Sequence, residues 1–273
     1  MHNTEEFEIK GSNQLPIVGD ITFSKITPAY LVIFVHGFRG FKDWGTHHLV
    51  ANYFAEKGIN FLKFNFSHSG VLPKDLTDIT DLTLFSHNTP SKELYDLDQV
   101  ISFAKKKFPS LKIAVIGHSR GGGITLLQAA KDNRIDKLIT WAAIGAFRDL
   151  WSREAEIEWR KNGTHYTLNA RTKQQMPLNI SLLEDVISHE KEFDLQTAAN
   201  NISKPWLIIH GDQDPAVNVA VAKEFHAIQT QKSELLIVEG ADHVFGASHP
   251  YLKKEMPVAL EKVCAACIYF ILA

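Results

Sequence analysis

The chain has 273 residues, of which 45% are hydrophobic and 22% charged. That balance is typical of a folded soluble domain and excludes a collagen-like fibre, a low-complexity array and a largely disordered chain. The 29 basic and 31 acidic side chains leave a net charge of −2, so there is no global attraction to nucleic acid or to an anionic membrane.

In chain order, the β-like runs 7–10 and 17–24 flank the turn cluster Gly11-Ser12-Asn13 and predict an antiparallel opening. Residues 30–35 (YLVIFV) are apolar without alternation, as expected of a central parallel strand buried on both faces. The same pattern recurs at 59–66, 112–116, 137–142, 206–209 and 234–238. Between these runs lie helical periods at 91–108, 121–131, 219–228 and 251–270. The first places Leu94, Leu97, Ile101, Ala104 and Phe108 on one stripe, with Ser91 as its expected N-cap. The alternation predicts an α/β fold, a mostly parallel twisted sheet of about eight strands with helices on both faces.

Residues 147–203 are too long for a single crossover. They read as a helical cap inserted into a core made of 1–146 and 204–273, with a first helix over 150–161 stopped by Asn162-Gly163. The other reading is a peripheral bulge remote from the site. The two cysteines, Cys264 and Cys267, lie in an apolar helical stretch with no second Cys/His pair at ligand spacing. They are expected to be buried thiols. The start of the chain has neither a basic nor an apolar leader region, and the longest uncharged apolar run, 263–273, is too short to span a bilayer. A cytoplasmic protein is the expectation.

Chemistry enters at the predicted strand 112–116, which runs into Gly117-His118-Ser119-Arg120-Gly121 and then a helix. This is G-x-S-x-G in its strand–turn–helix context. So sharp a turn forces the serine toward positive φ and lifts its hydroxyl clear of the sheet, while the flanking positions must be nearly free of side chain. No G-K-[ST] follows and no G-x-G-x-x-G occurs, so the phosphate-loop alternatives fail. A serine hydroxyl needs a base, and the base an orienting carboxylate. In an open parallel sheet both belong just after the ends of later strands. The strand at 206–209 leads into His210-Gly211-Asp212-Gln213-Asp214, and that at 234–238 into Glu239-Gly240-Ala241-Asp242-His243. Asp212, Asp214 and Asp242 are the candidate acids; His243 is the base, with His249 as the fallback.

On these residues the chain resembles the α/β-hydrolases, the superfamily of serine esterases, lipases and related peptidases. The elbow Gly117 to Gly121, the strand-end His36-Gly37-Phe38, the H-G-D-x-D-x-x-V stretch from His210 to Val217, and Asp242-His243 carry the likeness. It runs from about residue 30 to the C-terminus. In general layout the chain is similar to small bacterial dienelactone-hydrolase-like and cinnamoyl (feruloyl) esterases. The resemblance implies that Asp214 is the triad acid, leaving Asp212 to organise its loop. It also implies an oxyanion hole made of the Arg120 and Phe38 backbone amides.

The remaining residues carry two readings each. Arg39, Lys42 and Arg120 would either bind an anionic substrate group or stand as solvated surface cations. Trp44, Trp151, Trp159 and Tyr166 would either wall the acyl group or pack in the core; Arg39, Trp151, Trp159 and Tyr166 are taken as substrate contacts. His118 is expected to turn away from Ser119 and order a loop. Thirteen histidines invite a metal, but His47-His48 are adjacent and no H-E-x-x-H spacing occurs, so neither metal nor cofactor is expected. The function expected is serine-dependent ester hydrolysis of a small-molecule acyl substrate by water, with no nucleic-acid or membrane partner. Another acyl bond (aminopeptidase, thioesterase or lactone hydrolase) is the first alternative, and a non-catalytic binding protein the second.

Overall fold

The computed structural model describes residues 2–169 and 171–273. An eight-stranded sheet holds the chain together: β1 (Thr4–Lys10), β2 (Pro16–Thr22), β3 (Tyr30–Val35), β4 (Asn60–Asn65), β5 (Lys112–His118), β6 (Lys137–Trp141), β9 (Trp206–Gly211) and β10 (Ser233–Val238). Its spatial order is β1-β2-β4-β3-β5-β6-β9-β10. β2 runs antiparallel to both its neighbours, and every pair from β4 to β10 is parallel. This is the predicted α/β-hydrolase fold.

The unbroken apolar runs have a simple cause. Along β3, Leu31, Ile33 and Val35 enter one buried cluster while Val32 and Phe34 enter another on the opposite face. Two layers of helix cover these faces. α3 (Pro90–Lys107), α4 (Arg120–Lys131) and α8 (Ala220–Ile228) contribute Leu97, Ile124 and Phe225 to the first. α1 (His47–Glu56) and α9 (Val258–Leu272) contribute Phe54 and Val263 to the second. Among the described residues no helix is long and apolar enough to cross a membrane.

Some boundaries move from their expected positions. α3 is capped by Thr89, whose side chain accepts from the Lys92 amide, with Pro90 at the first helical position; Ser91 therefore lies inside the helix. The C-terminal helix starts at Val258 instead of residue 251, directly after Pro257, because a proline cannot supply an interior helical N–H. α1 and the short α2 (Leu82–Ser86) were not anticipated.

Residues 147–203 hold α5 (Arg153–Asn162), the antiparallel hairpin β7 (Thr164–Leu168) and β8 (Gln175–Asn179), α6 (Ile180–Ser188) and α7 (Leu195–Asn200). The hairpin is an addition to the helical content read from sequence. Ser152 caps α5 by accepting from the Ala155 amide, and Gly163 ends it at φ 71°. Trp159, Met176 and Leu183 from this segment join the same apolar cluster as α3 and α4.

Candidate active site

Ser119 sits between β5 and α4 with φ 56° and ψ −120°, the strained backbone expected of an elbow. The glycines around it are required by space. A Cβ on Gly117 would stand 2.2 Å from Thr125 Oγ1, and one on Gly121 would stand 2.4 Å from the His36 carbonyl oxygen. The loop after β3 presses on the elbow from the other side, where a Cβ on Gly37 would lie 3.0 Å from that of Ser119. Gly40 N donates to the Gly37 carbonyl at 2.9 Å and closes that loop into a turn. Among the described residues the Phe38 and Arg120 amides have no hydrogen-bond acceptor. Two unspent donors therefore flank the serine.

Asp214 follows β9, and its side chain is 0% exposed. Its Oδ1 accepts from the Ala216 and Val217 amides at 2.8 and 2.9 Å. Its Oδ2 accepts from His243 Nδ1 at 2.7 Å and lies 3.1 Å from His210 Nε2, which also donates to the Val217 carbonyl. Burial pushes this carboxyl up, but the hydrogen bonds from His210, His243 and the Val217 amide outweigh it and hold it far below the usual carboxylate range. With Nδ1–H engaged, His243 presents Nε2 as a free acceptor. The other candidate groups are occupied elsewhere. Asp212 takes the Gly240 amide at 2.7 Å and ties the two strand-end loops together. Asp242 accepts the Val244 and Gly246 amides of its own turn, and His249 Nδ1 accepts from Gly45 N at 2.8 Å.

Ser119 and His243 line one cavity of about 360 Å³, with no hydrogen bond between their side chains in this conformation. Such bonds often tighten only when substrate is bound. The cavity has two ends. The buried residues Phe34, Val50, Trp141, Phe245 and Leu260 form an apolar interior that reaches through to α1 and α9. Arg39, Leu168, Asn169 and Arg171, the last three from the β7–β8 hairpin, form the rim. Three imidazoles also line it: His36, His47 and His118. Burial holds their pKa values down, to about 4 for His36 and about 3 for the other two. His118 orders a loop, as expected, but from within the cavity wall: its Nε2 donates to the His243 carbonyl at 2.9 Å, with the two rings 4.8 Å apart.

Several sequence assignments are corrected. Lys42 is buried and paired with Asp20 and Asp43, and Arg120 is 1% exposed and paired with Glu93; neither is at the mouth or in solvent. Trp151, Trp159 and Tyr166 do not line the cavity. Trp159 is fully buried against Trp151 and His165, and Tyr166 is 58% exposed. Arg39 and Trp44 do line it. Residues missed from sequence are His210, whose spacing of four from Asp214 was a usable signal, and Asn169 and Arg171, which gave none. Both cysteines are buried, and burial raises the Cys267 thiol to about 12.

A family model described as serine aminopeptidase, S33, matches residues 27–193. No curated protein matches the chain. Among solved structures, Est1E from Butyrivibrio proteoclasticus is 21% identical, with a TM-score of 0.70 over 98% of this chain and 97% of that one. Its complex with ferulic acid aligns with a TM-score of 0.73 at 21% identity, over 97% and 98% of the two chains. The Pyrococcus furiosus esterase PF2001 is 19% identical, with a TM-score of 0.67 over 99% of this chain and 91% of that one. At such identities the likeness is one of fold. The matched segment takes in Phe38 and Ser119 and more than half of the residues, and the chain accordingly belongs to the serine aminopeptidase S33 family of α/β-hydrolases.

Proposed function

We propose that the chain is a serine esterase that cleaves a carboxylic ester of a small or medium-sized substrate through an acyl-enzyme on Ser119. The observation that carries this reading is the 2.7 Å bond from His243 Nδ1 to a sealed Asp214, with His243 and Ser119 lining the same cavity. His243 Nε2 takes the proton as Ser119 Oγ attacks the carbonyl carbon, and Asp214 holds the ring tautomer and offsets the imidazolium charge. The Arg120 and Phe38 amides receive the tetrahedral oxyanion, a contribution of about 2.7–4 kcal/mol per donor. His243 then protonates the departing alcohol. It next deprotonates a water that attacks the acyl carbon, releasing the acid and restoring the serine. Residues 147–203 act as a cap whose hairpin forms part of the mouth.

The charge of the cavity favours an ester over the aminoacyl amide that the family's description suggests. An aminopeptidase must hold the α-ammonium of its substrate against an anionic or strongly accepting group. Among the described residues that line this cavity there is no aspartate or glutamate, and two are arginines, Arg39 and Arg171. Hydrolysis of 4-nitrophenyl butyrate and of an aminoacyl-4-nitroanilide, by wild type and by Ser119→Ala, tests the reading. Ester turnover that disappears in Ser119→Ala is expected. Undiminished ester turnover in that variant, or a preference for the anilide, would overturn the proposal.

A further inference from the structure

The cations near the cavity differ in how they are neutralised. Arg120 is buried and holds Glu93 at 3.0 Å. Arg171 at the rim binds both oxygens of Asp78, at 2.7 and 2.8 Å. Arg39 has no carboxylate within ion-pair distance among the described residues. Its guanidinium donates through Nη1 to the Leu168 carbonyl at 2.9 Å and lies 5.1 Å from the Phe38 ring centroid. Its remaining N–H groups have no acceptor among the described residues. The residue is half-buried and sits at φ 60°, an unfavourable backbone for a non-glycine residue. A partly desolvated, uncompensated guanidinium in a strained turn is a site for an anion.

Position decides which part of the substrate carries that anion. Arg39 follows Phe38, so it stands beside the expected oxyanion position, at the open end of the cavity. The other end is closed by buried apolar side chains. In an acyl-enzyme sequence the alcohol leaves while the acyl group is still bound to the serine. An alcohol lodged in the closed end would be trapped behind that acyl group, so the acyl group occupies the interior and the alcohol faces the rim. Resting on the esterase reading above, we propose that the natural substrate is an ester of an apolar acid with an alcohol that carries a carboxylate or phosphate, and that Arg39 binds this anion with Asn169 beside it.

The test uses butyrate esters of 4-hydroxybenzoate, of 4-hydroxyphenyl phosphate, of neutral 4-hydroxybenzamide and of cationic 3-(trimethylammonio)phenol. The kcat/KM of each is divided by its rate of alkaline hydrolysis to remove leaving-group reactivity. Wild type should favour at least one anionic ester over the neutral one by about tenfold or more, and whichever arm gains identifies the anion. Arg39→Gln should reduce that ratio to about one, and Arg39→Glu should turn it in favour of the cationic ester. An anionic-to-neutral ratio of about one in wild type, or one that Arg39→Gln leaves unchanged, overturns the proposal while the esterase reading stands. Absence of turnover on all four esters removes both.

Discussion

Arg120 Nε donates to Glu93 Oε2 at 3.0 Å, and the same guanidinium lies 5.5 Å from the Phe38 ring centroid. One buried pair thus links the residue after the proposed nucleophile to the loop that carries the second proposed oxyanion donor. Asn88 completes the arrangement by donating to the other Glu93 oxygen at 2.8 Å. Glu93→Ala leaves a guanidinium buried without its counter-charge and should destabilise the fold by about 3–5 kcal/mol. Urea denaturation measures it, and a loss within error of zero would show that the pair is dispensable.

Asp214→Asn should lower kcat by about 10³- to 10⁴-fold, because an amide in that place no longer fixes the His243 tautomer. The KM should change little, since Asp214 is sealed from the cavity and touches no substrate. Steady-state kinetics on 4-nitrophenyl butyrate separates the two parameters. A change confined to KM would contradict the role assigned to this carboxylate.

Gly121→Ala and Gly37→Ala should differ in kind. At Gly121 the added methyl meets backbone oxygens of β3 and the residue after it, at 2.5 and 2.4 Å. The sheet would have to part, and about 1–3 kcal/mol or more of stability should go. At Gly37 the methyl meets Ser119 Cβ at 3.0 Å, so kcat should drop by more than the midpoint of thermal unfolding suggests. Equal effects of the two substitutions on stability and rate would refute this contrast.

Stability should fall steeply in mild acid. Burial keeps His36 near 4, and His47 and His118 near 3, against 6.5 for an unperturbed imidazole. Between pH 6.5 and about 4 the unfolded chain therefore binds protons that the folded chain refuses, and the native state loses stability as pH falls through that window. Each histidine contributes a slope of about 1.4 kcal/mol per pH unit. The three together approach about 4 kcal/mol per unit near pH 5. Urea midpoints that coincide at pH 5 and pH 7 would rule this out.

The sheet was legible because burial on both faces writes itself as uninterrupted apolar runs, and β3 matches its expected bounds residue for residue. The positions of Ser119, Asp214 and His243 were legible because each stands at a strand end within a recognisable local pattern. What escaped notice depended on partners distant in sequence. Lys42 looks like any surface lysine until Asp20, from β2, is brought against its loop. Arg120 likewise needs Glu93. The hairpin β7–β8 escaped because only its inward residues, such as Met176 and Leu178, are apolar and buried, too few to stand out from a polar loop. Trp159 was misassigned for the opposite reason: an aromatic ring in a polar insertion reads equally well as lining or as filler, and here it fills.

The cavity described above draws its buried lining from α1 and α9 and its rim from the β7–β8 hairpin, elements far apart in the chain. On the proposed binding mode, shortening Leu260 or Val50 would lengthen the acids that fit without touching Arg39, and replacing Asn169 would alter the alcohol side alone. The two halves of such a substrate would then be selected by separate sets of side chains, each open to change by one substitution at a time.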